Sequence, residues 1–417
     1  MSRDRTVDAL RAYAIGQVVL GHWLVTALVL AGDGGLHQAS PLTTLPDLRP
    51  VTWVLQTLGL FFFAAGFGSA RSLARHRGGT GRWLARRSRR LLLPTVALLG
   101  AGAAVLLAAT VAGAPDDTLA VGLRLAVSPL WFLVPLLLLV AVSGPLRAAV
   151  RRWGLARCVV PAVAVVAASD VAVRLLPDGV TVAPVSVVAA WAVPYLLGLA
   201  YADGRLAGRR TAGLLAAGGA AALAVLLAVG YPVSAVGVPG DGVSNLNPPS
   251  LLAVALALTQ VGLGLLARPG WERLLARPLP GRAVTVVNHN AVRIYLWHQP
   301  VLVTVTALTA RGGLALPGLH TAPDGPTWVL ARFCWLPLLA AVLVTVVRTG
   351  RRQGSTDGPD RWRRPGGGAV ADRSAECVPT PAQVYDHRRS GPVDLQEVIA
   401  VRDSDPPSRG RADGQPR

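Results

Sequence analysis

Apolar residues along this chain gather in long blocks, not in the alternating runs of strands or the one-sided stripes of surface helices. Each block is roughly 20 residues, about the length a helix needs to cross the hydrocarbon core at 1.5 Å per residue. Ten are legible: residues 9–31, 51–70, 91–114, 130–150, 158–176, 184–202, 211–231, 251–267, 283–310 and 327–347. The pattern predicts an all-α, polytopic integral membrane protein with about ten transmembrane helices. The fifth block is expected to be short or tilted, because Asp170 and Arg174 lie in its outer half and charge is costly at bilayer depth. The first block is long and no small-residue cleavage site closes it, so it is expected to stay as a span and not to be removed as a signal peptide.

Arginine placement sets the orientation, since positive residues near span ends are retained in the cytoplasm. The even-numbered connections hold nearly all of them. Arg71, Arg75, Arg77, Arg82, Arg86, Arg87, Arg89 and Arg90 separate blocks two and three, and Arg147, Arg151, Arg152 and Arg157 surround the next even connection. Arg205, Arg209 and Arg210, then Arg268, Arg273, Arg277 and Arg282, repeat the pattern. The odd connections carry Asp33, Asp47, Asp116, Asp117, Asp178, Asp241 and Asp324 instead. Both termini are therefore expected in the cytoplasm, with the protein in the cytoplasmic (inner) membrane.

Composition agrees: 52% of the 417 residues are hydrophobic and 15% are charged, with a mean hydropathy of +0.47. The net charge of +19 argues for topology and not for nucleic acid, because it sits in the short connections. It also makes one face attractive to anionic lipid and phosphorylated metabolites. Residues 348–417 are rich in Gly, Pro, Arg and Asp with little apolar periodicity, so they are expected to form a disordered cytoplasmic tail beyond a transmembrane domain of residues 1–347. Cys158, Cys334 and Cys377 lack metal-ligand spacing, and a disulfide framework is not expected. No internal repeat is evident.

Candidate chemistry lies in the polar residues that interrupt the blocks. Asp8, Arg11 and His22 sit in VDALRAYAIGQVVLGH, where a simple anchor would carry none. Arg11 and His22 are eleven residues apart, so at about 100° per residue they share a face, separated by roughly 16 Å along the axis. Asp8 lies one turn before Arg11, placed to neutralise it. In the ninth block, VNHNAVRIYLWHQPVLV, Arg293, Tyr295 and His298 interrupt an otherwise spanning stretch. His298 lies at a depth comparable to His22, so the two imidazoles are expected to meet. A neutral imidazole accepts a hydroxyl proton near neutral pH, the task of a general base. A snorkelling arginine and histidines that only bridge helices would leave the same trace.

The segments DALRAYAIGQVVLGH, LFFFAAGF, RWLARRSRRLLLP, LWFLVPLLL and IYLWHQPVL, in this order, resemble membrane acyltransferase family 3 over residues 4–347. That resemblance implies a ten-helix O-acyltransferase acting on sugars, lipids or antibiotics. It implies that Arg11 and His22 match the family's Arg-x10-His motif, with His22 as catalytic base; His298, on its own depth in the ninth block, is expected to act beside it by shaping the pocket or polarising the carbonyl. The family's Arg-x-x-Arg motif matches Arg87 and Arg90, or equally Arg86 and Arg89, and these would hold the phosphates of acyl-CoA, the donor substrate. Asp8 and Tyr295 would support the site, Tyr295 by shaping the pocket or helping to polarise the carbonyl. Ala65 stands where many relatives carry serine, and the chain resembles stand-alone members without an appended hydrolase-like domain.

The expected partners are acyl-CoA, membrane lipid and a glycan, lipid or metabolite acceptor, with no permanently bound cofactor and no metal. His37, His76, His289, His320 and His387 lack ligand spacing. A transporter or flippase for an anionic or glycolipid substrate stays open beside the enzyme, since a basic face with buried His and Arg suits both. A structural membrane protein is the third reading, and an acceptor approaching from the cytoplasm is a variant of the first.

Overall fold

A computed structural model describes residues 4–176, 183–313 and 315–356, with side chains to residue 350. Helix α1 (Arg5–Val25) is followed by a hairpin of β1 (Ala27–Leu30) and β2 (Leu36–Ala39), paired antiparallel with Ala27 opposite Ala39. Short α2 (Pro41–Thr44), a 3-10 turn (Pro46–Val51) and α3 (Thr52–Leu55) lead into α4 (Leu58–Arg75) and α5 (Thr80–Val111). Then come α6 (Asp116–Val127), a 3-10 turn (Ser128–Phe132), α7 (Leu133–Ala141), α8 (Ser143–Trp153), α9 (Leu155–Leu175) and α10 (Ala183–Ala202). The chain continues with α11 (Arg209–Ala228), α12 (Leu251–Leu266), α13 (Arg268–Ala276), α14 (Pro278–Ala310) and α15 (Pro326–Thr356).

Seven helical stretches among the described residues are long and apolar enough to cross a membrane, or eight when α12 and α13, bent by 57° at their break, count as one span. The first and ninth predicted spans are outside that number. Helices α1 and α14 are long, at 21 and 33 residues, but Asp8, Arg11 and His22 in one and Asn288, Arg293, His298 and Gln299 in the other dilute their apolar character. These are the two long helices of the bundle with the richest polar chemistry.

The first apolar block does not stay helical to its predicted end. The first apolar block was expected to run to residue 31, yet the helix stops at Val25 and residues 27–30 form a strand. Buried Arg332 of α15 explains the stop: its guanidinium donates to the carbonyls of Trp23, Thr26 and Gly318. Carbonyls that a helix end leaves without partners are thus satisfied by a side chain, and Gly34, with φ of 82°, makes the hairpin turn. At the other end, α15 runs on to Thr356, past the predicted boundary at 347. The rest of the predicted disordered tail lies outside the described residues.

Charge in the fifth predicted span has a structural reason. Asp170 of α9 accepts hydrogen bonds from Tyr231 Oη and from the backbone N–H of Leu251, each at 2.8 Å. Leu251 opens α12, so the carboxylate sits where the helix dipole favours it. Arg174 stacks 4.2 Å above the Tyr231 ring.

Helices α4 and α10 cross closely in the core. A Cβ on Gly66 would strike the Tyr195 carbonyl, and one on Gly198 would strike the Phe63 carbonyl, so glycine at both positions lets the backbones meet. Near that crossing, Asp203 receives Arg147 at 2.5 Å and Arg151 at 2.9 Å while only 6% exposed. Burial alone would raise the Asp203 carboxyl, but the two guanidinium groups hold it below the usual carboxylate range. The contribution of this pair is therefore present above pH about 4 and fades as pH falls further. Asp203→Ala should cost about 2 kcal/mol through lost charge-assisted hydrogen bonds. The thermal unfolding midpoint in detergent at neutral pH should fall, and an unchanged midpoint would contradict the assignment.

Candidate active site

Helices α1 and α14 run in the same direction and are latched twice. Asn288 Nδ2 donates to the Asp8 carbonyl at 2.8 Å, and Trp23 Nε1 donates to the His298 carbonyl at 2.9 Å. At the second latch the His22 and His298 rings lie 5.0 Å apart between centroids. The two predicted imidazoles do meet.

Their surroundings differ. His298 is fully buried and its Nδ1 donates to the Tyr295 carbonyl at 2.5 Å; a carbonyl only accepts, so Nδ1 carries the hydrogen and Nε2 keeps a lone pair. That Nε2 has no partner. His22 is half-buried and contacts the Gln299 amide nitrogen through Nδ1 at 3.3 Å, while the Gln299 amide oxygen is buried without a partner.

A cavity of about 740 Å³ opens at the arginine-rich end of the bundle. Its wall comes from α1, α4, α5, α7 and α14, and it includes Arg11, Arg86, Arg87, Arg90, Arg293, His76 and His289 with no carboxylate among the lining side chains. Small residues make the space: Ala64, Ala65, Gly68 and Ser72 of α4 are spaced to share one stripe of that helix. The Arg87 guanidinium approaches Gly68, where a Cβ would lie 3.7 Å from Nη2, and stands 5.9 Å over the Trp83 ring. Arg87 Nε is buried and has no hydrogen-bond partner. Arg86 reaches His76 Nδ1 at 2.9 Å.

Arg86, Arg87 and Arg90 line the cavity, and Arg89 is not part of its wall. Asp8 also stands outside the wall. The cavity ends short of the histidines, since neither His22 nor His298 lines it; its innermost ring is Tyr295, 5.5 Å from His298. Tyr295 cannot polarise a substrate carbonyl as bonded, because its hydroxyl donates to the Pro129 carbonyl at 2.8 Å.

Sequence reading gave no role to Gln299, Arg332, Asn288, His76 or His289. The signal for the first three was present, a polar residue inside an apolar block. Far from this site, His37 lies 3.9 Å from Asp33 and 3.8 Å from Asp117 on the exposed surface. That grouping joins residues of different elements, so spacing does not reveal it.

The class that this fold and site define is a polytopic membrane protein with a basic cavity beside a pair of imidazoles. The chain belongs to acyltransferase family 3, whose acyltransferase domain matches residues 4–349. It is an acyltransferase enzyme, which sets aside the transporter and purely structural readings. Comparison with curated proteins and with solved structures gives no significant match.

Proposed function

We propose that the protein is an O-acyltransferase of the cytoplasmic membrane, with ten spans that include α1 and α14. It moves a short acyl group, acetyl foremost, from cytoplasmic acyl-CoA to a hydroxyl of a glycan, lipid or secondary metabolite. The observation that carries this reading is the carboxylate-free cavity in which Arg11, Arg87, Arg90 and Arg293, from three helices, converge. A cavity wall with this many guanidinium groups and no carboxylate favours an anionic ligand, and guanidinium groups bind phosphate bidentately. The unpartnered Nε of Arg87 has a hydrogen left to give. By the positive-inside rule this end faces the cytoplasm, the side on which acyl-CoA is available.

In the reaction, His22 Nε2 takes the proton of the acceptor hydroxyl as its oxygen attacks the thioester carbonyl. The tetrahedral adduct then collapses, the C–S bond breaks, and the CoA thiolate leaves with the proton returned by the imidazolium. For Nε2 to be the base, Nδ1 must hold the ring hydrogen. A half-turn of the Gln299 amide brings its unpartnered oxygen to Nδ1–H and fixes that tautomer. His298 keeps an unshared lone pair beside the imidazolium and so adds no second charge there. No metal and no resident cofactor enter these steps.

Mass spectrometry of envelope glycans, lipids and secreted metabolites from cells with and without the gene tests the reading. One class should lose an acyl mass when the gene is removed. Identical acylation across all three classes would count against it.

A further inference from the structure

The arginines of α5 and the small residues of α4 lie toward the mouth of the cavity, and aromatic residues close its far end. From α4 this is Phe61, from the 3-10 turn before α7 it is Phe132, and from α14 it is Tyr295, next to Leu296. The three rings touch: Phe61 and Phe132 are edge to face at 5.4 Å, and Phe132 and Tyr295 are 4.3 Å apart. They form the floor of the cavity. Immediately beyond stand His298, 5.5 Å from the Tyr295 ring, and then His22.

We propose that Phe61, Phe132 and Tyr295 act as an acyl filter that admits short acyl groups from the arginine cavity to the histidine pair and rejects longer ones. The inference rests on acyl-CoA being the donor. With the phosphates held at the mouth, the thioester must reach past these rings for His22 to act on its acceptor. Two of the rings are fixed: Phe132 is 4% exposed, and Tyr295 is held by its hydrogen bond to Pro129, which lies in the same turn as Phe132. Only Phe61 is half-buried and has room to turn. Behind it the core is full, since Phe62 stacks on Trp191 at 5.3 Å. An acetyl methyl group needs little displacement here, whereas each added methylene has to push an aromatic ring into packed side chains.

The test uses full-length protein in nanodiscs and measures dissociation constants for CoA, acetyl-CoA, butyryl-CoA and hexanoyl-CoA. Wild type should bind hexanoyl-CoA at least about ten-fold more weakly than acetyl-CoA, the scale on which a hydrophobic pocket discriminates by methylenes. Phe61→Ala should reduce that gap to about three-fold or less, and an unaltered size-exclusion profile and helical circular dichroism show that the variant is folded. Phe61→Leu, a smaller change of volume, should fall between the two. Equal wild-type affinities for acetyl- and hexanoyl-CoA, or a gap that Phe61→Ala leaves intact, would overturn the filter while the donor reading stands. Failure of CoA itself to bind the wild type would overturn the donor reading and the filter with it.

Discussion

His22→Ala should abolish acyl transfer while the protein remains inserted and folded. A positioned general base contributes about 10²–10⁴-fold to such a reaction, so little activity should remain above background. The fold should tolerate the change, because the latches between α1 and α14 run through Asn288 and Trp23 and do not involve the His22 ring. What is lost locally is the contact to Gln299 and the ring contact with His298. His22→Gln should behave alike, since an amide takes up no proton at neutral pH. The measurement is the acylated product in cells with matched membrane levels of protein. Substantial acylation by either variant would remove His22 from the mechanism and leave His298, whose Nε2 lone pair is free, as the base to test next.

Replacing Arg87 and Arg90 together with Gln should raise the apparent KM for acyl-CoA about ten-fold or more, with a smaller change in kcat. Phosphate contacts remote from the thioester hold ground state and transition state alike, so their loss weakens uniform binding first. Charge-assisted hydrogen bonds contribute about 1.5 to 3 kcal/mol each, and about 1.4 kcal/mol is a factor of ten. Arg89→Gln is the internal control: it removes the same charge from the same helix at an exposed position outside the cavity wall, and KM should hardly move. Topology should survive the double change, because Arg71, Arg75, Arg77, Arg82, Arg86 and Arg89 remain in that connection. Initial rates against acyl-CoA concentration in nanodiscs decide it. A KM that is unchanged in the double variant, or that rises equally in Arg89→Gln, would leave these arginines with a topological role alone.

Much of the site was legible because it is written within single helices. Arg11 and His22 share a face of α1 through helical periodicity alone, and no partner helix is needed to say so. The depth match of His22 and His298 follows from counting residues along two spans of known rise, and the 5.0 Å separation of their rings agrees with it. Arg332 escaped notice although the same rule, an ionisable residue inside an apolar block, applies to it. Its function is to close the end of another helix, and nothing near it in the chain points there.

A polytopic membrane protein with a basic face, and with candidate polar residues in its first and ninth apolar blocks, can be read from the chain without any contact between helices. These are properties of composition, block length and helical period, and all are local. Which of four neighbouring arginines face the cavity was not local. Successive helical residues point about 100° apart, so either Arg-x-x-Arg frame is equally good until the neighbouring helices say which side is inside. The same holds for Tyr295, whose hydroxyl is taken by the carbonyl of Pro129, distant in the chain. It holds too for the aromatic floor that stops the cavity short of the histidines, built from three separate elements. Only tertiary structure decides such points, because a side chain's partner and the space before it belong to the packing of helices and not to the helix that carries it.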